Sequence, residues 1–232
     1  MKSDTACLLI HGFGGSAYEV LPLAYHLRDK GYHVVCTSLK GHTGKRRDLY
    51  LASYPQWIES AEKDLNNLLN RFSNVIVVGF SMGGLIAANL AIKYPAIKAM
   101  VTLNTPIYYW DFKRIYLNIL KDIKKKNMHH IKYYLNSTVK FPLPALINFK
   151  ILLSKTKKLF NQIRCPIFVV QGLMDDTVHQ KSAQFIIESV LSNKKTIKYY
   201  KRADHLICHS SDKEMMFSDI YYFIEYVKGI SG

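Results

Sequence analysis

The sequence predicts one α/β domain with a small, mostly parallel sheet covered by helices on both faces. Short, continuous apolar runs indicate strands that are buried on both faces, and stretches of helical periodicity separate these runs. The links between them are short, which is typical of a parallel sheet whose crossovers are helices. A chain of 232 residues is long enough to bury one core of this kind.

The strands are predicted from apolar and β-branched runs. Ala6–Ile10 is the first and is followed by a glycine-rich loop, while Val34 and Val35 lie at the centre of the second. In chain order the predicted strands are Ala6–Ile10, Tyr32–Thr37, Asn74–Val78, Ile97–Leu103, Pro166–Gln171 and Thr196–Tyr200.

The helix starts are predicted from capping residues and proline. Ser16 and Glu19 have the Ser-x-x-Glu spacing of a capping box, and the helix that follows stops at Gly31. Pro55 begins an amphipathic stretch that continues to Phe72. The other predicted helices are Leu85–Tyr94, Gln180–Leu191 and Lys213–Lys228, the last preceded by a second capping box at Ser211–Glu214.

Residues 107–160 differ from the rest of the chain. Aromatic and aliphatic residues mix with lysines there, no strand pattern is present, and Pro142 and Pro144 break the middle of the segment. The segment holds twelve Lys or Arg and two Asp, so it carries most of the formal net charge of +15. We therefore predict a core of residues 1–106 and 161–232 with an inserted basic, mainly helical cap at 107–160.

The composition excludes several classes of protein. With 49% hydrophobic and 21% charged residues, the chain is neither disordered nor collagen-like. The apolar run before Gly12 is too short for a secretion signal, and no run approaches the roughly 18 apolar residues of a membrane span. The four cysteines lack Cys-x-x-Cys spacing, which favours free thiols. We expect a soluble, cytoplasmic protein.

A candidate nucleophile lies between a predicted strand and a predicted helix. Gly79-Phe80-Ser81-Met82-Gly83 has the form Gly-x-Ser-x-Gly, in which flanking glycines permit a sharp turn that exposes the serine hydroxyl. The motif alone is common, but its strand–turn–helix context is the one that the chemistry requires. Ser81 is therefore predicted to be a catalytic nucleophile.

A serine needs a histidine base and a carboxylate that orients the histidine. Asp175 and Asp176 follow one predicted strand and His205 follows the next, in the order serine, acid, histidine. Because the carboxyl ends of parallel strands meet at one edge of the sheet, these side chains can approach Ser81. At this level either aspartate is a candidate, and His209 is an alternative to His205.

The loop after the first strand is a candidate oxyanion hole. His11-Gly12-Phe13-Gly14-Gly15 follows the strand directly, where backbone N–H groups stabilise the oxygen of a reacting carbonyl. Phe13 N–H and Met82 N–H are the predicted donors. His11 is expected to be structural, since the loop contributes its backbone.

These motifs resemble the bacterial carboxylesterase and monoacylglycerol lipase branch of the α/β-hydrolases. The resemblance covers nearly the whole chain and keeps the family order: His11-Gly12-Phe13 with Gly15, Lys40-Gly41-His42, the turn at Ser81, Asn104-Thr105-Pro106, Gln171–Val178 and His205. It implies an α/β-hydrolase fold with a cap after the strand that follows the nucleophile helix. It also implies that Asp175, in a Gly-x-x-Asp-x-x-Val pattern, is the acid.

The resemblance implies hydrolysis of short- to medium-chain acyl esters, a class that includes monoacylglycerols, through an acyl-enzyme and without a cofactor or a metal. A thioesterase or an acyltransferase would use the same triad. A non-enzymatic alternative is a basic module that binds surfaces, with weak contact to an anionic membrane through residues 107–160. No specific nucleic-acid binding is expected, because no basic recognition motif is present.

The acyl pocket is predicted at the start of the inserted segment and near its end. Ile107, Tyr108 and Trp110 follow a strand that ends near the catalytic edge, and Leu146 adds apolar surface. An apolar lining of this kind would select the acyl chain by its length.

Overall fold

A computed structural model describes residues 4–108 and 141–229 of the chain. Within them, six strands form one sheet in the order β2-β1-β3-β4-β5-β6, and every adjoining pair is parallel. The α/β class predicted from the sequence is confirmed. The strands are β1 (Thr5–Ile10), β2 (His33–Thr37), β3 (Asn74–Phe80), β4 (Ile97–Leu103), β5 (Ile167–Gly172) and β6 (Lys195–Tyr200).

Helices cover both faces of the sheet. They are α1 (Leu21–Asp29), α2 (Arg46–Leu51), α3 (Tyr54–Leu69), α4 (Met82–Lys93), α5 (Leu143–Lys157), α6 (Lys181–Ser189) and α7 (Lys213–Gly229). Side chains alternate along each strand, so Leu9 belongs to the core on the face of α1 and α7, whereas Leu8 belongs to the core on the other face, with residues of α2 to α6. Among the helices of residues 4–108 and 141–229, none combines the length and the apolar character needed to cross a bilayer.

The parallel pairing places one end of every strand at the same edge of the sheet. Ser81 follows β3, and Asn104 follows β4. Asp175 comes just after β5, and His205 comes after β6. All four residues therefore lie at the carboxyl edge, where ligands bind in open α/β sheets.

Helix α5 is the described part of the predicted insert, together with its flanking residues. Pro142 and Pro144, predicted to break the segment, lie at the start of this helix. Pro142 is extended and accepts the N–H of Ala145 at 3.0 Å, and Pro144 occupies the first turn, where a missing N–H costs nothing. Thr156 Oγ1 accepts a hydrogen bond of 2.7 Å from Asn89 on α4. Helix α5 therefore packs against α4.

The capping box predicted at Ser16 is wrong. A short 3-10 turn occupies Ala17–Glu19, α1 begins only at Leu21, and Ser16 makes no side-chain capping bond. The Glu19 carboxylate accepts the N–H of Gly12 instead, at 2.8 Å. At α7 the first helical acceptor is the carbonyl of Asp212, one residue later than the predicted Ser211.

Candidate active site

Ser81 occupies a strained turn between β3 and α4. Its φ is 51° and its ψ is −121°, and only Asn104 shares a positive φ among the non-glycine residues of the described ranges. Such a conformation costs about 1–3 kcal/mol and persists only where the surroundings enforce it. The Ser81 N–H donates to the Leu103 carbonyl at 2.8 Å, which fixes the turn against β4.

Close packing explains two glycines of the Gly-x-Ser-x-Gly motif. A Cβ at Gly79 would lie 2.3 Å from the Gly83 carbonyl oxygen, and a Cβ at Gly83 would lie 2.2 Å from the Ile10 carbonyl oxygen. Both distances are far below van der Waals contact. The glycines therefore allow α4 to start directly against β3 and β1, which holds Ser81 at the carboxyl edge.

The structure pairs His205 with Asp175. His205 Nδ1 lies 2.9 Å from Asp175 Oδ2, and the carboxylate is buried. Asp175 Oδ1 accepts the N–H groups of Thr177 and Val178 at 2.8 and 2.9 Å, which fixes the carboxylate. Because an ionised carboxylate only accepts, Nδ1 carries the proton and Nε2 is left with a lone pair. That tautomer suits a general base.

Opposing effects act on the pKa of His205. Burial of the imidazole lowers the pKa, whereas the charge and hydrogen bond of Asp175 raise it, with further contributions from Glu19 and Asp176. The acidic groups together outweigh burial, so the pKa of His205 lies above its ordinary value. The site therefore favours the protonated imidazole that forms when a base takes a proton.

The neighbouring candidates have other contacts. Asp176 Oδ1 accepts the hydroxyl of Thr177 at 3.2 Å. His209 stacks on Tyr18, and its Nε2 lies 2.9 Å from the Tyr18 carbonyl oxygen. The structure thus brings Asp175 to His205.

His205 lies beside the serine turn. Its ring centroid is 5.2 Å from that of Phe80, the residue before Ser81. Within the described ranges no hydrogen bond joins Ser81 Oγ to the imidazole. A nucleophile and its base are often farther apart before the substrate binds.

The loop after β1 lies against Ser81. A Cβ at Gly12 would lie 3.2 Å from Ser81 Cβ. Gly12 itself is held by three bonds: its carbonyl accepts His11 Nδ1–H at 2.9 Å and Gly15 N–H at 3.3 Å, and its N–H donates to Glu19. The Phe13 N–H predicted for the oxyanion hole belongs to this fixed loop. Met82 N–H lies in the first turn of α4, where helix donors lack intrahelical partners.

His11 is a buried, neutral support for this loop. Burial lowers its pKa to about 4, with the Gly12 carbonyl opposing and His42 adding to the shift. Its Nδ1–H therefore stays a donor to Gly12, and its Nε2 accepts the Leu39 N–H at 3.5 Å.

Asn104 joins the elements of the site, a role that was not predicted from its place in the Asn-Thr-Pro motif. Its Oδ1 accepts the Gly172 N–H at 2.7 Å, and its Nδ2 donates to the carbonyls of Asp204 and His205 at 2.9 and 3.0 Å. The side chain is fully buried. One amide thus joins the ends of β4 and β5 to the loop that carries His205. In the sequence, the signals for Asn104 were the motif and the position of a polar residue directly after a predicted strand.

The four residues predicted for the acyl pocket lie in different environments. Ile107 is 3% exposed and packs in the core, and Leu146 is half-buried on α5. Tyr108 is 42% exposed, with its ring against Phe185 and Lys157. Trp110 lies outside the described residues. A role in substrate binding stays a prediction for all four.

An all-parallel sheet of this order, with a strained serine turn and an Asp–His pair at its carboxyl edge, defines an α/β-hydrolase. Residues 6–122 match the family model described as the alpha/beta hydrolase fold. The chain belongs to this family.

Known relatives narrow the class. The chain is 25% identical over 229 residues to a carboxylesterase of Bacillus subtilis (strain 168), covering 96% of this chain and 93% of that protein. It is 26% identical over 219 residues to a thermostable monoacylglycerol lipase of Bacillus sp. (strain H-257), covering 90% and 86%. The chain is accordingly an enzyme of the esterase and lipase type.

Solved structures share the fold. A structure from work on LipS and LipT, two metagenome-derived lipolytic enzymes, has a TM-score of 0.81 at 18% identity and covers 97% of this chain and 95% of that chain. A soluble variant of the monoglyceride lipase of Saccharomyces cerevisiae has a TM-score of 0.76 at 18% identity and covers 97% and 87%.

Proposed function

We propose that the chain is a serine carboxylesterase that hydrolyses short- to medium-chain acyl esters, monoacylglycerols included, with Ser81, Asp175 and His205 as its triad. The observation that carries the proposal is the 2.9 Å pair of His205 Nδ1 and Asp175 Oδ2 beside the strained turn of Ser81. The names of the Bacillus relatives support an ester substrate.

The geometry supports a two-step reaction. Ser81 Oγ attacks the ester carbonyl carbon while His205 Nε2 takes the hydroxyl proton, and the N–H groups of Phe13 and Met82 stabilise the carbonyl oxygen as it becomes an anion. The carbon–oxygen bond to the alcohol breaks, and His205 returns the proton to the departing oxygen. Water then attacks the acyl-enzyme by the same route, which releases the acid and restores Ser81.

The acyl pocket belongs to this proposal. Ile107 and Tyr108 follow β4 and Leu146 lies on α5, and we assign the acyl chain to these three residues. Trp110 joins the proposal from its place in the sequence alone. Each methylene that the pocket buries contributes about 0.8 kcal/mol, so affinity grows with chain length until the pocket is full.

The basic surface supports weak contact with anionic membranes, which would bring the enzyme near lipid esters. Lys150, Lys155 and Lys158 are exposed on α5 and at its end. A lysine near an anionic lipid surface contributes about 1 kcal/mol.

Labelling with a fluorophosphonate tests the nucleophile, because the reagent reacts with activated serines. We expect the wild type to carry one adduct on Ser81 in the peptide map, and Ser81→Ala to lose both the adduct and the turnover of p-nitrophenyl butyrate by several powers of ten. Ser192→Ala is the control, since this buried serine precedes β6 at the opposite end of the sheet. An adduct on another residue, or wild-type turnover in folded Ser81→Ala, would refute the assignment.

A further inference from the structure

Glu19 is an acidic residue at the site that the triad does not use. The two atoms nearest to a Gly12 Cβ position, each at 3.2 Å, are Glu19 Oε2 and Ser81 Cβ. The carboxylate and the candidate nucleophile therefore both lie next to Gly12. An acidic group this near a developing oxyanion would oppose the reaction unless the protein gives its charge another partner.

The backbone of the oxyanion loop, residues 11–15 after β1, is a partner of this carboxylate. Glu19 Oε2 accepts the Gly12 N–H at 2.8 Å. The whole carboxylate lies over Gly15, where a Cβ would come within 2.3 Å of Glu19 Cδ and Oε2 and 2.4 Å of Oε1. The carboxylate thus spans the loop from Gly12 to Gly15, and Phe13 lies between these two contacts.

Glu19 also acts on the other side of the site. Its charge helps to raise the pKa of His205, after the effects of burial and of Asp175. The charge of Glu19 also acts on the buried Cys208. Burial raises the pKa of this thiol most and the charge of Glu19 raises it further, so Cys208 stays protonated. The acidic groups that act on His205 are therefore Asp175, Glu19 and Asp176.

We propose that Glu19 is a positioning residue for the oxyanion hole: by binding the Gly12 N–H, its carboxylate fixes the loop so that the Phe13 N–H points at the oxygen of the reacting carbonyl. This inference rests on the proposed esterase function. The bond forms the loop before any substrate arrives, which is how a donor acts on a transition state without a cost of reorganisation.

Two substitutions separate the bond from the charge. Glu19→Gln keeps an oxygen that accepts the Gly12 N–H and removes the charge, whereas Glu19→Ala removes both. Loss of an oxyanion donor costs about 10²–10³ in kcat, so a misdirected donor in Glu19→Ala should lower kcat about tenfold or more with little change in KM. Glu19→Gln should retain most of the wild-type kcat at neutral and higher pH.

The pH profile of Glu19→Gln gives a second readout. A base acts in its neutral form, so the rate rises with pH through the pKa of His205. Because Glu19 raises that pKa, its neutral replacement should move the rise to lower pH. Glu59→Gln is the matched control: it makes the same charge change at an exposed position of α3 and should leave the profile where it is.

The Gly12 amide resonance tests the bond without any substrate. An N–H bound to a carboxylate should shift strongly upfield in Glu19→Ala and little in Glu19→Gln, with thermal unfolding as the check of folding. Ser81 labelling of the wild type decides the esterase proposal separately. Wild-type kcat in folded Glu19→Ala, an equal loss of kcat in both variants, or an unchanged Gly12 resonance in Glu19→Ala would overturn the role of Glu19.

Discussion

Asp175 and Asp176 are adjacent in the chain, yet the fold gives them different tasks. Asp175 is buried, is fixed by two backbone N–H groups and meets His205 Nδ1, whereas Asp176 bonds the Thr177 hydroxyl. The Gly-x-x-Asp-x-x-Val resemblance pointed to Asp175 from the sequence. The physical reason is visible only in the structure, because the turn after β5 directs one of two consecutive side chains inward.

The difference predicts unequal effects of two isosteric substitutions. Asp175→Asn should lower kcat about 10⁴-fold, because an amide no longer holds the imidazole in the tautomer with the proton on Nδ1. Asp176→Asn makes the same charge change one residue away and should change kcat by less than about threefold. Turnover of p-nitrophenyl butyrate measures both, and the reverse ranking would make Asp176 the triad acid.

At the scale of the elements, the strand ends define the site, and Asn104 links them. Losing its Nδ2 donor removes the hydrogen bonds to the part-buried carbonyls of residues 204 and 205, each of which contributes about 0.5–1.5 kcal/mol. We therefore expect Asn104→Asp to lower both the melting temperature and kcat, because the loop that carries His205 is released.

A matched substitution tests whether the effect on kcat is specific. Asn89→Asp removes an amide that joins α4 to Thr156 on α5, away from the triad. It should lower the melting temperature and leave kcat near the wild-type value. Equal kcat in the two variants would contradict a positioning role for Asn104.

The sequence predicted the strands well and the helix starts less well, for a physical reason. A strand buried on both faces, such as Asn74–Val78, requires a continuous apolar run that few other structures need. Helix starts depend on where a polar side chain finds a partner. The Ser16–Glu19 spacing is typical of a capping box, but the loop after β1 offered Glu19 a nearer donor, and the resulting role at the site could not be predicted.

Proline was ambiguous in the same way. If the residues before Pro142 and Pro144 are taken as helical, the prolines predict a break. If the residues after them are taken as helical, the prolines predict a helix start. Mixed lysine and apolar residues around α5 gave no clear period to decide between the two. The contact of Thr156 with Asn89 is long-range, so only the tertiary structure fixed the outcome.

At the scale of the whole molecule, the net charge of +15 predicts salt-dependent binding to anionic vesicles. We expect sedimentation with phosphatidylserine vesicles at low salt, release at high salt, and no binding to phosphatidylcholine vesicles. Lys150→Gln/Lys158→Gln on α5 should weaken binding severalfold, since each lysine contributes about 1 kcal/mol.

The control is Lys194→Gln/Lys201→Gln, which removes the same charge next to β6. If both double variants weaken binding equally, Lys150 and Lys158 do not form the contact with the membrane. If the wild type does not bind phosphatidylserine vesicles at low salt, the proposed membrane contact is wrong.

Strand β6 lies at the outside of the described sheet and contains Lys195, which is exposed, and Lys198, which pairs with Asp219 on α7 at 2.6 Å. The outer edge of such a strand offers unpaired backbone groups to any other strand, and lysines there oppose edge-to-edge association of two copies. Electrostatic repulsion between two copies of the chain is thus a consequence of the basic composition, and it involves no ligand. A parallel sheet pairs strands that are distant in the chain, so such edges are exposed while it folds. We expect exposed lysines such as Lys195 to reduce aggregation during that interval.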